Sequence, residues 1–158
     1  MTRAVVITVS DSCAAGTRKD VSGPSLAQLL SDNGWEIAGA TVVPDEIEVI
    51  RAEAQRRVAQ SIRLVVFTGG TGISRRDVTP EAIRPLLDKE IPGLGELMRL
   101  RGLEQTDKAA LSRSLAGSIG RSLILCLPGN AKGAAQSLTA ILGLLPHALD
   151  LLEGKTEH

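Results

Sequence analysis

Hydrophobic positions in this chain form short apolar runs that alternate with segments of three- and four-residue spacing. The short runs, rich in β-branched residues, are too brief for helices and predict buried strands at 4–9, 35–43, 64–68 and 123–127. The periodic segments predict helices that start near residues 22, 45, 80, 94, 134 and 146. A further run at 114–119, followed by Gly120 and Arg121, predicts a hairpin with the last strand.

The order of these elements defines a fold class. Strands alternate with helices and no repeat is visible, which indicates an α/β domain with a mostly parallel sheet. We expect a single domain over residues 1–153 and a frayed tail at 154–158. Thr79-Pro80-Glu81 has the sequence of an N-cap, an N1 proline and an acidic first turn. Because Pro85 removes the hydrogen bond to the Glu81 carbonyl, this helix should be short, bent or broken near residue 85.

The polar residues that follow the predicted strands are candidates for a ligand site. In mostly parallel sheets, ligands bind beyond the carboxyl ends of the strands. That rule selects four loops, which are Ser10-Asp11-Ser12, Pro44-Asp45-Glu46, Gly69 to Asp77 and Pro128-Gly129-Asn130. Two or three carboxylates and glycine-presented amides on one rim suit a phosphate ester and a divalent cation.

The loop after the third strand has the strongest local signal. Gly69, Gly70 and Gly72 surround Thr71 and let the backbone approach a ligand closely, because these three positions lack Cβ. A strand, a glycine loop, a charged turn at 75–77 and a helix start, in that order, hold phosphate groups in many α/β proteins. Neither G-x-x-x-x-G-K-[ST] nor G-x-G-x-x-G occurs, which excludes a Walker-type NTPase and weighs against a dinucleotide fold.

Three of these loops also have a purely structural interpretation. The glycines could serve only their turn, and Ser10, Asp11 and Ser12 could bond only their own turn. Asp45 could be the N-cap of the helix that follows it, a role for which Asp is well suited. The local sequence favours the cap for Asp45, although capping and ligand binding are compatible.

Composition narrows the classes of function. The formal net charge is zero and aromatic residues make up 1% of the chain, so neither phosphate neutralisation nor base stacking supports nucleic-acid binding. No run of 18 apolar residues occurs, which argues against a membrane span. Cys13 and Cys126 form no C-x-x-C, so a zinc site is not expected and two free thiols indicate the reducing cytoplasm.

The string T-G-G-T-G-x-x-x-R-D-V-T-P-E at 68–81 resembles that of the molybdopterin-binding MoaB/Mog family, which includes molybdopterin adenylyltransferases and the amino-terminal domain of gephyrin. The likeness extends through VSDS at 9–12 and VPDE at 43–46 to LPGN at 127–130. It implies a three-layer α/β/α sandwich on a mostly parallel, mixed five-strand sheet, and a homotrimer.

The activity that this resemblance implies is transfer of AMP from ATP to the terminal phosphate of molybdopterin. Aspartates matching Asp45 and Asp77 are the functional pair in the family, and we expect them to hold Mg²⁺ or to orient polar groups. The loops and the resemblance together predict these substrate-binding residues: Ser10, Asp11, Ser12, Thr68, Gly69, Gly70, Thr71, Gly72, Arg76, Ser112, Pro128, Gly129 and Asn130.

Attack of a phosphate oxygen on the α-phosphorus of ATP needs positioning and charge neutralisation more than a strong base. Arg76, Arg113 or Lys132 could offset the charge on the leaving pyrophosphate, and the sequence does not rank them.

Two other functions remain open. One is a non-catalytic trimer that binds molybdopterin, against which R-D-V-T-P at 76–80 argues. The other is a competence-damage-related nucleotide hydrolase, whose loop resembles this one but has G-G-L-G-P-T followed by paired acids. Here Thr71 and the single Asp77 stand in those places.

Overall fold

The computed structural model describes residues 1–156 of the chain. The strands are β1 Arg3–Val9, β2 Glu36–Val43, β3 Leu64–Thr68, β4 Lys89–Glu90, β5 Leu115–Ile119 and β6 Ser122–Leu127. The helices are α1 Asp11–Ala14, α2 Ser22–Asp32, α3 Ile47–Ala59, α4 Thr79–Ile83, α5 Pro92–Leu103, α6 Ala131–Leu142 and α7 Leu145–Leu152. Two 3₁₀ helices lie at Arg84–Leu86 and Asp107–Leu111. Of the predicted tail, 157–158 lie outside the described residues.

One mixed sheet organises the domain, in the strand order β2-β1-β3-β6-β5-β4. β2, β1, β3 and β6 are mutually parallel, and β5 returns antiparallel to β6 as the predicted hairpin. The sheet has six strands rather than the expected five. The extra strand, β4, has two exposed residues that pair with Ser118 and Gly117. A strand this short carries no alternation of burial, so the sequence pattern could not indicate it.

Helices cover both faces of the sheet, which confirms the three-layer arrangement. Successive strand residues point to opposite faces. Leu64 and Val66 of β3 therefore join the core beneath α2, α5, α6 and α7. Val65 and Phe67 join the core beneath α3 and α4. Both cores are almost wholly aliphatic, as the composition requires.

Helix α4 follows the prediction at its end but not at its start. It stops at Ile83 and gives way to a 3₁₀ turn at Arg84–Leu86, as Pro85 demands. Thr79 lies inside the helix and Val78 occupies the N-cap position, so the predicted Thr79 cap is wrong. The Thr79 hydroxyl instead donates a hydrogen bond of 2.9 Å to the Gly69 carbonyl.

Across residues 1–156, no single helix is long and apolar enough to cross a membrane. α6 and α7 pass that test only as a pair, with a bend of 61° between them.

Candidate functional site

The four predicted loops meet at one rim of the sheet. The strands that lead into them, β1, β2, β3 and β6, all run in the same direction, so their carboxyl ends lie side by side. Backbone hydrogen bonds join neighbouring loops: Ser10 N donates to Val43 O at 2.9 Å, and Gly69 N donates to Leu127 O at 3.0 Å. This juxtaposition is the part of the site that the strand pattern predicted.

The glycine loop is required by close packing as well as by its turn. Gly69 and Gly70 have φ angles of 110° and 69°, a region that side chains disfavour. A Cβ added at Gly69 would overlap the Val9 carbonyl, and one added at Gly70 would overlap Thr79 Oγ1. The loop therefore sits flush against the end of β1 and the start of α4.

Asp11 and Asp45 join their two loops through a reciprocal pair of hydrogen bonds. Asp11 N donates to Asp45 Oδ2 at 2.9 Å, and Asp45 N donates to Asp11 Oδ1 at 3.0 Å. Glu46 occupies the N-cap of α3, and the cap has no side-chain hydrogen bond. The interpretation of Asp45 as a helix cap is therefore wrong, because its carboxylate binds the amide of another loop.

Arg76 reaches across the rim to the same carboxylate cluster. Its Nε and Nη2 donate to Asp11 at 2.9 and 3.0 Å, a bidentate pair. This hydrogen bonding lowers the pKa of Asp11 below its ordinary value. Burial raises the pKa of Asp45, with the neighbouring charges of Asp11 and Asp77 contributing in the same direction. The pKa values of these two adjacent carboxyls are therefore shifted in opposite directions.

Asp77 lies at the far end of the charged turn. Its Oδ2 accepts hydrogen bonds from Ser74 N at 2.9 Å and Ser74 Oγ at 2.6 Å. A Cβ added at Gly72 would lie 2.8 Å from Asp77 Oδ2, and one added at Gly70 would lie 3.1 Å from Asp45 Oδ1. Both carboxylates therefore lie against one segment of backbone whose ends are at most about 7 Å apart.

The donor set of this rim fits a magnesium ion that arrives with phosphates. No group of three or more His, Cys, Asp or Glu within residues 1–156 forms a ready-made metal cage. Mg²⁺ usually takes only one or two carboxylates, together with waters and substrate phosphates. Asp45 Oδ1 and Asp77 Oδ1 make no hydrogen bond to the described part of the chain, so both are available as ligands.

A cavity of about 400 Å³ is lined in part by Pro128 and Asn130, whose loop packs against Gly69 through Gly129. It lies between α5, the segment 105–114 and the start of α6, and Met98 forms part of its floor. Of the predicted site residues it contains Ser112, Pro128 and Asn130. It also contains residues that the sequence did not single out, namely Arg99, Gln105, Thr106, Lys108, Gly133 and Gln136. These come from three separate elements, and nothing in the sequence near each of them distinguishes it from an ordinary surface residue.

Hydrogen bonds connect the segments that line the cavity to the rim. Thr68 Oγ1 donates to Pro128 O at 2.7 Å, and Arg113 N donates to Thr71 O at 2.7 Å. Asp45, Asp77 and Arg76 do not line the cavity. The site therefore consists of an enclosed part beside Ser112 and an open, charged rim.

Several other predicted residues make contacts within the protein. Ser10 caps α1 by accepting a hydrogen bond from Cys13 N at 3.2 Å, and its hydroxyl lies 3.2 Å from that of Ser12. Asn130 caps α6 by accepting a bond of 3.0 Å from Gly133 N. The turn chemistry expected for the first loop is thus present, and these groups shape the rim.

The fold and site define an α/β protein with a glycine loop and paired carboxylates at the carboxyl rim of a parallel sheet. Within that class, the chain belongs to the family described as "Probable molybdopterin binding domain", whose model matches residues 5–147. The family expected from the glycine string is thereby confirmed.

Known relatives agree with this assignment. The chain is 43% identical to Molybdenum cofactor synthesis protein cinnamon of Drosophila melanogaster, over 93% of this chain and 25% of that protein. It is 37% identical to a Molybdopterin adenylyltransferase of Helicobacter pylori, over 94% of this chain and 86% of that one. Cinnamon and three further curated relatives are longer proteins, and the chain spans about a quarter to a half of their length.

Among solved structures, the molybdopterin biosynthesis enzyme MoaB of Thermus thermophilus superposes with a TM-score of 0.92. It shares 47% identity, and the match covers 98% of both chains. A protein named CinA, from Thermoplasma acidophilum, superposes with a TM-score of 0.69 at 20% identity over 91% of this chain and 98% of that one. That second likeness concerns the fold alone.

Proposed function

We propose that this chain is a molybdopterin adenylyltransferase of molybdenum cofactor biosynthesis. It would transfer AMP from ATP to the terminal phosphate of molybdopterin and release pyrophosphate. The observation that carries this proposal is that the carboxylates of Asp45 and Asp77 both lie against one glycine loop, near a cavity of about 400 Å³. The relatives named molybdopterin adenylyltransferase support the choice of substrates.

The cavity and the rim suit different parts of a phosphorylated substrate. The cavity has a partly apolar floor and convergent polar groups, features typical of sites for ring-containing small molecules. The rim offers glycine amides and carboxylates, which suit phosphates and their counter-ion. A phosphorylated ring system bound in the cavity would thus present its phosphate to the loop at Gly70–Gly72.

In the reaction, a phosphate oxygen of molybdopterin forms a bond to the α-phosphorus of ATP. The bond from that phosphorus to the bridging oxygen breaks, and pyrophosphate leaves with the electron pair. The nucleophile, a phosphate monoester, is already largely dianionic near neutral pH, so no strong base is needed. Asp45 and Asp77 would hold Mg²⁺, which neutralises charge on the phosphates when bound.

Of the three cations that the sequence offered, Lys132 is the one best placed to offset charge on the leaving pyrophosphate. Arg76 is paired with Asp11, and Arg113 is paired with Glu81 and with loop carbonyls. Lys132 lines the cavity and is exposed, and it forms no ion pair within residues 1–156. We therefore propose that Lys132 binds the leaving pyrophosphate. The sequence alone did not favour it over the two arginines.

Pyrophosphate release with Mg-ATP, measured with and without molybdopterin, tests the proposal. We expect release that requires molybdopterin and forms adenylyl-molybdopterin in equal amount. Nucleotide hydrolysis without molybdopterin would favour the hydrolase interpretation. Binding of molybdopterin with no pyrophosphate would favour a non-catalytic binding protein.

We also propose a homotrimer in the cytoplasm. The trimer rests on the resemblance, and zero net charge leaves little repulsion between copies. Cys13 and Cys126 are both free thiols, in keeping with a reducing compartment. Light scattering at micromolar concentration decides the assembly, and a monomer would contradict it.

A further inference from the structure

Arg113 occupies the junction between the cavity and the glycine loop. It follows the 3₁₀ helix Asp107–Leu111 and precedes β5. Its neighbour Ser112 lines the cavity, and its own main-chain N–H donates to Thr71 O at 2.7 Å. The chain is therefore bound to the loop at a residue that lies between two residues of the cavity wall, Ser112 and Ser114.

The guanidinium of Arg113 makes a second set of contacts with the same loop. Nε donates to Gly72 O at 2.8 Å, and Nη2 donates to Asp77 O at 2.8 Å. These two carbonyls lie on either side of residues 73–76. Nη1 and Nη2 also bind the Glu81 carboxylate at 2.6 and 3.1 Å. Arg113 thus holds together the glycine loop, the Asp77 backbone and the first turn of α4.

We propose that Arg113 is a positioning residue that fixes Asp77 relative to the cavity, and that it does not contact the leaving pyrophosphate. A guanidinium has five N–H donors, and the four contacts described above leave one of them. Arg113 is partly buried against carbonyls that are fixed in the fold. A phosphate could take more than one hydrogen bond from this side chain only by breaking contacts that shape the loop.

The consequence for catalysis rests on the proposed function. A substrate seated beside Ser112 must meet a metal site built on Asp77, and Arg113 is the residue that binds both parts. Positioning matters steeply in such reactions, because a displacement of about 1 Å can lower the rate roughly 100-fold. Arg113 sets that distance.

Replacement of Arg113 by Lys tests the proposal, because a single ammonium cannot span the two carbonyls and the carboxylate that the planar fork reaches. We expect kcat for pyrophosphate release to fall about 100-fold while KM for ATP changes less than about threefold. Glu81→Gln should loosen the same fork and lower kcat by up to about fivefold.

Arg63 provides the matched control. It too donates to two backbone carbonyls, at Arg121 and Leu149, and pairs with Glu153. It precedes β3 at the opposite end of the sheet from the glycine loop. Arg63→Lys should lower the melting temperature about as much as Arg113→Lys but leave kcat unchanged.

A double mutant separates positioning from direct contact with pyrophosphate. If Arg113 acts through Asp77, Arg113→Lys should change kcat less than about threefold once Asp77→Asn is already present. If it binds the leaving group, the two losses should multiply. Multiplicative losses would overturn the proposal.

Hydrogen exchange gives a measurement that does not depend on activity. The Asp77 and Thr79 amides donate to Ser74 O and Gly70 O within the loop. Their exchange should become at least about tenfold faster in Arg113→Lys and stay unchanged in Arg63→Lys. Unchanged exchange in Arg113→Lys overturns the positioning role. A wild-type protein that releases no pyrophosphate would instead refute the proposed function, while exchange still decides the role of Arg113.

Discussion

Replacing Asp45 by Asn separates its role in the site from its role in the fold. Asp45 Oδ2 accepts the Asp11 amide at 2.9 Å, and an Asn oxygen can accept the same bond. Asp45 Oδ1 lies at the glycine loop without a hydrogen bond to the described residues, and in Asn an NH₂ group takes its place. The substitution therefore preserves the link between loops and removes the charge.

The expected change in stability is the balance of two opposing effects. Exchanging a carboxylate acceptor for an amide weakens the bond from Asp11 by about 1 kcal/mol. Against this, burial raises the pKa of Asp45, so its charged form is less favourable in the folded than in the unfolded protein above that pKa. Asn removes that penalty at neutral pH. The net change should stay within about 1 kcal/mol, or about 4 °C in melting temperature.

Turnover should respond very differently from stability. Losing one preorganised charge at a phosphate-transfer centre typically lowers kcat about 100- to 1000-fold. Thermal melting and molybdopterin-dependent pyrophosphate release, measured on the same preparation, compare the two effects.

Asp88→Asn is the matched control for this substitution. The Asp88 carboxylate also accepts an amide hydrogen bond across the fold, from Gly120 at 2.7 Å. Gly120 belongs to the β5–β6 turn, at the end of the sheet away from the glycine loop, so turnover should be retained. If Asp45→Asn kept near-normal turnover but melted well below the wild type, Asp45 would be a structural residue and our reasoning would be refuted.

Two more predictions concern the rim. Gly70→Ala should lower the free energy of unfolding by about 2–3 kcal/mol, because φ is positive and the new Cβ would overlap the buried Thr79 hydroxyl. The control Gly34→Ala, with positive φ but open space around it, should lower it by only about 1 kcal/mol. Denaturant unfolding measures both. The Arg76 hydrogen bonds lower the pKa of Asp11, so that carboxylate stabilises the fold above about pH 4 and the stabilisation is lost as pH falls through the lowered pKa. Asp11→Asn should therefore melt below the wild type at pH 7, and the difference should shrink as the pH falls below about 4 and through the lowered pKa of Asp11; a constant difference would contradict this linkage.

Much of the fold was determined by short stretches of sequence. Leu64–Thr68 was predicted residue for residue as β3, because five consecutive apolar or β-branched residues followed by glycines suit a strand buried on both faces. The rim followed from the same pattern, since parallel strands bring the residues after their carboxyl ends together. The break at Pro85 needed only the local chemistry of proline.

The roles of individual polar residues were decided by tertiary structure. Asp45 precedes a helix, where its sequence favours a cap, yet its carboxylate accepts the amide of Asp11, 34 residues away. Thr79 likewise has the sequence of a cap, but it binds the Gly69 carbonyl. Local sequence indicates which hydrogen bonds a residue can make with its neighbours along the chain. The fold brings other partners within reach, and the residue bonds to the partner with the better geometry.

The same reason explains what the sequence could not indicate at all. Arg113 lies 41 residues from Gly72 in the sequence. Nothing near it in sequence indicates whether its side chain binds the glycine loop or a phosphate. The cavity beside Ser112 arises only when α5, the segment 105–114 and the start of α6 pack against one another. The succession of strands and helices and the chemistry of the loops can be read along the chain. The cavity and the choice among distant hydrogen-bond partners depend on packing in three dimensions.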